Sequence, residues 1–466
     1  MKKGIRFIAF ILILIMTVMG TYQVLSWKDT SGDYLSSTQQ LYATEDNLMD
    51  VIFVGSSHVY CGINPSYLWD EYGISAFDMS VSGQDKDSSY HTIKEVLKTQ
   101  SPQVVCVDLY GLLYERHSVL GNEYRNMLSM KTSANSIELV QNYVDEKKGQ
   151  MDYILRWPII HTRYKELTEY DFIQYEPSIY GRGYNPNYSL GVSYYPQGAL
   201  ECAESEPLSE DNKEWLDKLI LLSEEEDFKL VMFLTPMYLE PAQQKILNGA
   251  YEYLSEYGVE TLDFNMLSEQ VGLDYNADFC DSHHLNRVGS DKLTAYFGEY
   301  LVSHNQLTDH RGDEAYYLWD ECSKWLEHLD FAHELKQETD WKAFSEMAAD
   351  YNEDMTIILY LDGTYKESTL GLQEVQEIFG IPESEYDIGG KWIFKNGECV
   401  YYMDPGEGNV YGMDLSDANV LWMENDPGKL SQVQINGEPM GCAFNGLTIV
   451  VYDNITHQVV DKRGFY

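Results

Sequence analysis

The sequence predicts an α/β fold: a three-layer α/β/α domain with a parallel sheet, followed by a β-rich domain. Short, continuously apolar runs alternate with amphipathic helical segments from about residue 50 to residue 304. This pattern is typical of parallel strands that are covered by helices on both faces. From residue 354 onward, strand-like runs separated by Gly, Asn and Asp turns dominate. An apolar stretch near the N-terminus is long enough to cross a membrane.

The predicted elements follow from these patterns. The clearest strand is 103–109, which is short, apolar and begins next to Pro102. The other strands of the α/β domain are predicted at 50–54, 75–80, 229–234 and 259–264, and its helices at 64–72, 89–99, 136–147, 210–224, 241–257 and 285–304. Strands of the second domain are predicted at 355–361, 391–395, 399–403, 418–423 and 447–452.

A chain of 466 residues is too long for one ordinary hydrophobic core, so two domains are expected. We predict a transmembrane signal anchor over residues 1–28, the α/β domain over 45–305, a charged helical connector over 306–352, and the β-rich domain over 353–466.

The charge balance excludes one class of partner. With 75 acidic and 32 basic residues, the net charge is −43. Nucleic-acid binding depends on cationic contacts to phosphate, so no nucleic-acid partner is expected. A solvated acidic surface is the favoured explanation, and a cation-rich environment or a polycationic partner stays open. The seven cysteines include no CxxC pair, and we expect neither a metal site nor a cofactor.

The N-terminus predicts the location of the protein. Lys2, Lys3 and Arg6 precede an uncharged stretch over residues 7–27. Basic residues before an apolar span keep the N-terminus in the cytoplasm, so the remaining chain is expected outside a cell membrane crossed once. A cleaved signal peptide is the alternative, but no small-x-small cleavage site follows the apolar stretch. We therefore expect the lipid bilayer to be a partner through this helix.

Two distant segments carry the chemistry. Val54-Gly55-Ser56-Ser57-His58 places hydroxyl groups directly after the first strand, and Asp281-Ser282-His283-His284 supplies a carboxylate and imidazoles before the last helix. A serine nucleophile needs a base to take its proton and a carboxylate to orient that base. Ligands of parallel α/β sheets gather at the carboxyl ends of the strands. Gly83 and Tyr110 follow the second and third strands, so they are expected at the same edge.

The first segment, continued by Gly62-Ile63-Asn64-Pro65, resembles the block I serine turn of the SGNH/GDSL hydrolase superfamily. The resemblance is to the branch that contains the lipoteichoic-acid D-alanylation and alginate O-acetylation proteins. Asp281-x-x-His284 resembles block V, and the resemblance covers about residues 48–303. It implies Ser57 as the nucleophile, His284 as the general base and Asp281 as the residue that orients it.

Further site residues are implied by the same resemblance. Gly83 matches the block II glycine, whose N–H would join that of Ser57 in an oxyanion hole. The Gly-x-Asn-Asp of block III is replaced by Asp108-Leu109-Tyr110-Gly111, so the asparagine donor is missing. Tyr110 is the candidate substrate-binding residue in its place, and a packing role at the rim is the alternative.

The C-terminal segment resembles the interleukin-like EMT inducer domain. The residues that carry this resemblance are 435–437, 445–453 and 459–465. It implies a β-rich module suited to carbohydrate contact, and a packing or spacer role is equally open.

The resemblance implies a membrane-anchored extracytoplasmic serine acyl esterase or O-acyltransferase. Its substrate would be an acetyl or D-alanyl group on a cell-envelope polysaccharide or teichoic acid, and its partner a polytopic membrane-bound O-acyltransferase. The resemblance does not separate hydrolysis from transfer.

The alternative is a catalytically inactive surface protein that binds envelope glycans through a tyrosine-rich stretch and the β-rich domain. For these tyrosines, packing is favoured over sugar stacking; they are Tyr175, Tyr180, Tyr184, Tyr188, Tyr194 and Tyr195.

Overall fold

A computed structural model describes most of the chain. The described residues are 2–26, 36–113, 127–144, 146–167, 169–172, 181–351, 354–362, 372–382, 389–405, 408–416, 419–425, 433–441 and 446–465. The chain divides into two compact units, Met1–Ser323 and Lys324–Tyr466.

The first unit begins with helix α1, Lys2–Leu25. Its segment Gly4–Leu25 has a mean hydropathy of 2.2, and its side chains are almost all exposed. Within the described part of the chain it is the one helix that is long and apolar enough to cross a membrane. At 1.5 Å per residue its length is about 33 Å, close to the thickness of a bilayer's hydrocarbon core.

The core of this unit is a parallel sheet. Its strands are β1 Val51–Gly55, β2 Ala76–Ser80, β3 Val104–Asp108, β4 Lys229–Leu234 and β5 Glu260–Asp263. They lie in the order β2-β1-β3-β4-β5, and every adjacent pair is parallel. This is the strand order of flavodoxin-like folds. All residues of β1, β2 and β3 are buried, as expected for strands covered on both faces. The predicted fold class is confirmed.

Helices cover both faces of the sheet. On one face, Ile93, Leu216 and Leu247 pack with Ile52 and Val105 of the sheet. On the other, Val59, Leu68 and Phe297 pack with Phe53 and Cys106. After α1, the α-helices of this unit are α2 Ser36–Ala43, α3 Ser57–Gly62, α4 Pro65–Tyr72, α5 Lys86–Val96, α6 Ala134–Tyr143, α7 Lys147–Leu155, α8 Trp157–Ile160, α9 Gln197–Leu200, α10 Glu210–Glu225, α11 Pro241–Glu256, α12 Ser268–Val271 and α13 Arg287–His304. The 3₁₀ helices are Leu109–Leu113, His161–Lys165, Glu169–Phe172 and Glu314–Tyr316.

The second unit is built from antiparallel strands. They are β6 Met355–Asp362, β7 Lys391–Lys395, β8 Glu398–Met403, β9 Val410–Ser416, β10 Asn419–Glu424, β11 Val433–Ile435, β12 Glu438–Pro439, β13 Gly446–Asp453 and β14 Gln458–Phe465. One sheet has the order β14-β13-β6-β7-β8 and the other β12-β11-β10-β9. Its helices are α15 Trp341–Asp350 and α16 Leu372–Phe379, together with the later part of α14 Tyr317–Gln337, which crosses the boundary between the units.

Candidate active site

Ser57 lies at the turn between β1 and α3. Ser56 is the N-cap residue of α3, and Ser57 is the first residue of the helix. The turn needs glycine at position 55, because a Cβ there would lie 2.5 Å from Val59 Cγ2 and 2.7 Å from Asp108 Cβ. The tight turn places the Ser57 hydroxyl at the carboxyl end of the central strands, where ligands of such sheets bind.

The structure brings together the three side chains of the predicted relay. Ser57 Oγ lies 2.8 Å from His284 Nε2. On the far side of the imidazole, His284 Nδ1 lies 2.9 Å from Asp281 Oδ2 and 3.1 Å from Asp281 Oδ1. These are hydrogen-bond distances. An Nδ1–H donated to Asp281 leaves Nε2 as an acceptor for the hydroxyl proton of Ser57.

Backbone hydrogen bonds hold the loop that carries Asp281 and His284. Asp281 Oδ1 accepts the N–H groups of His283 at 2.7 Å and His284 at 2.9 Å. The Cys280 N–H donates to the His284 carbonyl at 3.0 Å, which closes the loop. Asn286 caps α13, because its side chain accepts the N–H groups of Val288 and Gly289. The imidazole is thus fixed relative to a rigid helix.

The same contacts control the charge of Asp281. Burial favours the neutral acid, but hydrogen bonds from the N–H groups of His283 and His284, and from the His284 ring, outweigh it. They hold the pKa of Asp281 below its usual value. The carboxylate is therefore ionised at neutral pH, as a residue that orients an imidazole must be.

His58 is a site residue that sequence reasoning missed. Its imidazole contacts the rings of His284 and Tyr110, with centroid distances of 4.8 Å and 4.2 Å. Its Nδ1 is 2.9 Å from Ser56 Oγ. Burial, and then the charges of the neighbouring histidines, lower the pKa of His58 well below 6.5, so the ring is neutral at pH 7. Its position next to Ser57 in the sequence was the only available signal.

Gly83 and Tyr110 lie at the same edge of the sheet. Gly83 lies in the turn after β2, whose last residue, Ser80, is opposite Gly55 in the register. Its φ of +66° is a conformation that favours glycine. Tyr110 follows β3 in the 3₁₀ helix Leu109–Leu113, and its ring contacts that of His58.

Asp108, the last residue of β3, lies next to Gly55 at the turn that carries Ser57. It is 3% exposed, and its Oδ1 accepts the N–H of Tyr110 at 3.4 Å. Burial raises the pKa of Asp108 to about 7, against the lowering effect of backbone hydrogen bonds from Tyr110, Thr235 and Leu109. The residue that stands where block III has its glycine is therefore a buried acid.

An aromatic rim of two exposed tyrosines and one half-buried tyrosine adjoins the Asp281–His284 loop. We define this rim as Tyr194, Tyr195 and Tyr238. Tyr194 is 67% exposed and meets Tyr238 edge to face, with centroids 6.3 Å apart. Tyr184, in contrast, is buried as the packing prediction requires, while Tyr175 and Tyr180 lie outside the described residues. Packing thus explains Tyr184 but not the rim.

The rim is tied to the loop by the backbone. Ser193 donates its hydroxyl to the Ser282 carbonyl at 3.0 Å, and the Tyr238 N–H donates to the same carbonyl at 3.1 Å. Gly191 approaches so closely that a Cβ would lie 2.0 Å from the Cys280 carbonyl oxygen. The backbone that carries the rim is therefore held against the loop that carries His284. Among the described residues, no group of three or more His, Cys, Asp or Glu side chains is arranged to hold a metal ion.

Comparisons with known proteins add little to this geometry. No protein-family model matches the chain, and no curated protein matches its sequence. A solved structure described as a gut microbial diltiazem-metabolizing enzyme aligns at 15% identity with a TM-score of 0.22. The alignment covers 55% of this chain and 46% of that one, so the chain spans less than half the length of that enzyme. A similarity this low carries no argument about fold or activity.

Proposed function

We propose that this protein is a membrane-anchored, extracytoplasmic serine acyl esterase or O-acyltransferase of the SGNH type. The observation that carries the proposal is the continuous hydrogen-bonded relay from Ser57 through His284 to Asp281 at the carboxyl edge of a parallel sheet. A hydroxyl, an imidazole and an ionised carboxylate in this order form the constellation that activates a serine for acyl transfer.

The proposed reaction has two halves. Ser57 Oγ attacks the acyl carbonyl carbon while its proton passes to His284 Nε2, and the carbonyl electron pair moves onto oxygen. The N–H groups of Ser57 and Gly83 are proposed to stabilise that oxyanion. When the tetrahedral intermediate collapses, His284 protonates the leaving alkoxide and an acyl-Ser57 ester remains. Water or an acceptor hydroxyl then attacks this ester, returns its proton through His284 and frees Ser57.

The proposed substrate is an acetyl or D-alanyl ester of an envelope polysaccharide or teichoic acid. The aromatic rim supports a polymer substrate, because exposed rings such as those of Tyr194 and Tyr195 beside a catalytic loop are suited to stacking on sugar rings. Tyr110, which packs on His58, is proposed to line the substrate site. The resemblance of the C-terminal unit to the interleukin-like EMT inducer domain supports a second carbohydrate contact.

The anchor and the partner belong to the same proposal. The apolar segment Gly4–Leu25 of helix α1 follows Lys2 and Lys3 in the sequence, which supports a single-pass protein with a cytoplasmic N-terminus and its bulk outside the cell. A membrane-bound O-acyltransferase that supplies acyl groups across the bilayer is the proposed partner, because an extracytoplasmic transferase needs an activated acyl donor. The site itself is compatible with hydrolysis and with transfer, which differ only in the second nucleophile.

The test compares full-length wild type with Ser57→Ala on p-nitrophenyl acetate. Ser303 of α13, an exposed serine outside the relay, provides the matched control, Ser303→Ala. We expect Ser57→Ala to lower kcat/KM by at least about 10³-fold and Ser303→Ala to leave it unchanged. A fluorophosphonate probe should label wild type on Ser57. Equal hydrolysis and equal labelling by wild type and Ser57→Ala would leave the non-catalytic glycan binder as the better description.

A further inference from the structure

The segment 146–172 differs from the rest of the chain in its charge balance and in its exposed apolar side chains. It holds five basic and five acidic side chains, in a protein whose acidic residues outnumber its basic ones by more than two to one. Within 147–165, Asp152 is the one acidic residue beside the five basic ones. Helix α7 has no buried side chain. Large apolar residues of the segment are exposed instead: Met151 48%, Leu155 57%, Trp157 38%, Tyr164 63% and Phe172 68%. Cations and exposed apolar residues therefore occur together.

This segment contacts the end of α1 directly. Trp157 stacks on Tyr22, with ring centroids 6.5 Å apart and planes at 18°. Arg163 donates hydrogen bonds to the carbonyls of Leu25 at 3.0 Å and Ser26 at 2.6 Å. These are the carbonyls at the C-terminal end of the helix, where no further turn satisfies them. The segment is thus joined to the last turn of the apolar helix.

The contact with the last turn of α1 determines the depth at which the segment lies relative to a bilayer. If α1 spans the membrane from Gly4, its last turn reaches the opposite boundary of the hydrocarbon core. Tryptophan and tyrosine favour this boundary, since their rings are apolar and their N–H or O–H groups are polar. The exposed Trp157 and Tyr164 lie beside it.

The exposed cations complete the pattern. Lys147 and Lys148 begin α7, and Lys165 lies beside Tyr164, with its Nζ 5.6 Å from the ring centroid. All three side chains are exposed. Apolar residues with lysines at their margin are typical of segments that lie in a membrane interface, where the lysines meet lipid phosphates.

We propose that segment 146–172 is a second membrane contact, which lies on the extracytoplasmic leaflet and binds anionic lipid headgroups. This inference rests on the anchoring part of the proposed function. It goes further, because it fixes the face of the first unit that is turned toward the lipid. The observation that carries it is that exposed apolar side chains and exposed lysines lie in a segment joined directly to the end of α1.

Photocrosslinking in vesicles tests the proposal with the full-length chain. p-Benzoylphenylalanine is placed at Tyr164, at Tyr257 or at Phe10. Tyr257, a comparably exposed tyrosine after the end of α11, is the matched control, and Phe10 of α1 reports on the anchor. In phosphatidylcholine vesicles with phosphatidylglycerol, we expect lipid adducts at positions 10 and 164, with the adduct at 164 about tenfold above that at 257.

A charge-reversal pair tests the headgroup contact. Lys147→Glu with Lys148→Glu should lower the adduct at position 164 several-fold in vesicles with phosphatidylglycerol and change it little in phosphatidylcholine alone. Lys213→Glu with Lys218→Glu on α10 makes the same change in net charge away from the segment and should have no effect.

The outcomes separate the two proposals. Lipid adducts at position 10 but only the Tyr257 level at 164 would overturn the interfacial contact and leave the anchor in place. No adduct at either 10 or 164 would overturn both. An adduct at 164 that joins a protein in native membranes, with no lipid adduct in vesicles, would assign the surface to a partner and also overturn the lipid contact.

Discussion

The imidazole of His58 lies against the imidazole of His284, with ring centroids 4.8 Å apart and planes 23° apart. Tyr110 also packs on His58, with ring centroids 4.2 Å apart. Since burial lowers the pKa of His58 well below 6.5, the ring is neutral at pH 7. Contact with the neutral His58 ring restricts the orientation of the His284 ring. It places no positive charge next to His284 when His284 takes the proton of Ser57. His58 is therefore expected to act as a positioning residue.

Two substitutions of His58 should separate ring packing from ring chemistry. His58→Phe keeps an aromatic wall beside His284, so we expect kcat on p-nitrophenyl acetate to stay within about threefold of wild type. His58→Ala removes the ring that packs against His284 and lets the His284 imidazole move, which should lower kcat by about 10- to 100-fold. Steady-state kinetics on both variants, with circular dichroism to verify folding, provides the measurement. Equal losses in the two variants would indicate that the imidazole acts through its nitrogens.

The sequence predicted the sheet well for a physical reason. The run predicted at 103–109 is observed at Val104–Asp108, and the run at 229–234 is observed without change. Strands buried on both faces must be apolar at every position, so their sequence is distinctive. The convergence of Ser57 with the Asp281–His284 loop followed from the rule that the carboxyl ends of parallel strands share one edge.

Features that depend on tertiary contacts were missed. Helix α5 begins at Lys86, earlier than predicted, because Asp85 caps it and the buried Lys86 ammonium bonds to Asn212 at 2.6 Å. The helix predicted at 136–147 is interrupted, and α6 and α7 replace it. Strand β14 was not predicted, because most of its side chains are at least partly exposed and it lacks a continuous apolar run. His58 was missed because stacking leaves no pattern in a single sequence.

Asp281→Asn should disable the relay while the site stays assembled. The amide oxygen of asparagine still accepts the N–H groups of His283 and His284, so its NH₂ group faces His284 Nδ1. The imidazole must then carry its proton on Nε2, where it cannot accept the proton of Ser57. We expect kcat to fall by about 10⁴-fold with little change in KM. Kinetics on p-nitrophenyl acetate measures this, and activity within tenfold of wild type would argue against a base oriented by Asp281.

Asp108 predicts a pH dependence of stability. Because burial raises its pKa to about 7, the folded protein holds a proton on Asp108 that the unfolded chain releases near pH 4. The stabilisation is complete below pH 4 and is lost as the pH rises toward and through 7. Asp108→Asn removes this titration. The unfolding free energy of Asp108→Asn minus that of wild type should therefore increase by on the order of 1–3 kcal/mol from pH 4.5 to pH 8.

Denaturant unfolding of both proteins at the two pH values measures that gain. The exposed Asp46 provides the control, since Asp46→Asn makes the same chemical change on the surface. A pH-dependent gain equal to that of Asp46→Asn would mean that Asp108 is ionised in the folded protein at neutral pH.

The aromatic rim should matter for polymers and not for small esters. Replacing Tyr194 and Tyr238 with alanine removes the stacking surface but leaves Ser57, His284 and Asp281 in place. We expect KM for an O-acetylated glucan to rise about tenfold, since two aromatic contacts of roughly 0.5–1.5 kcal/mol each are lost. kcat/KM for p-nitrophenyl acetate should stay within about twofold, because this ester reaches only the relay. Tyr257→Ala controls for the loss of an exposed tyrosine. A parallel loss on both substrates would show that the rim supports the loop rather than the polymer.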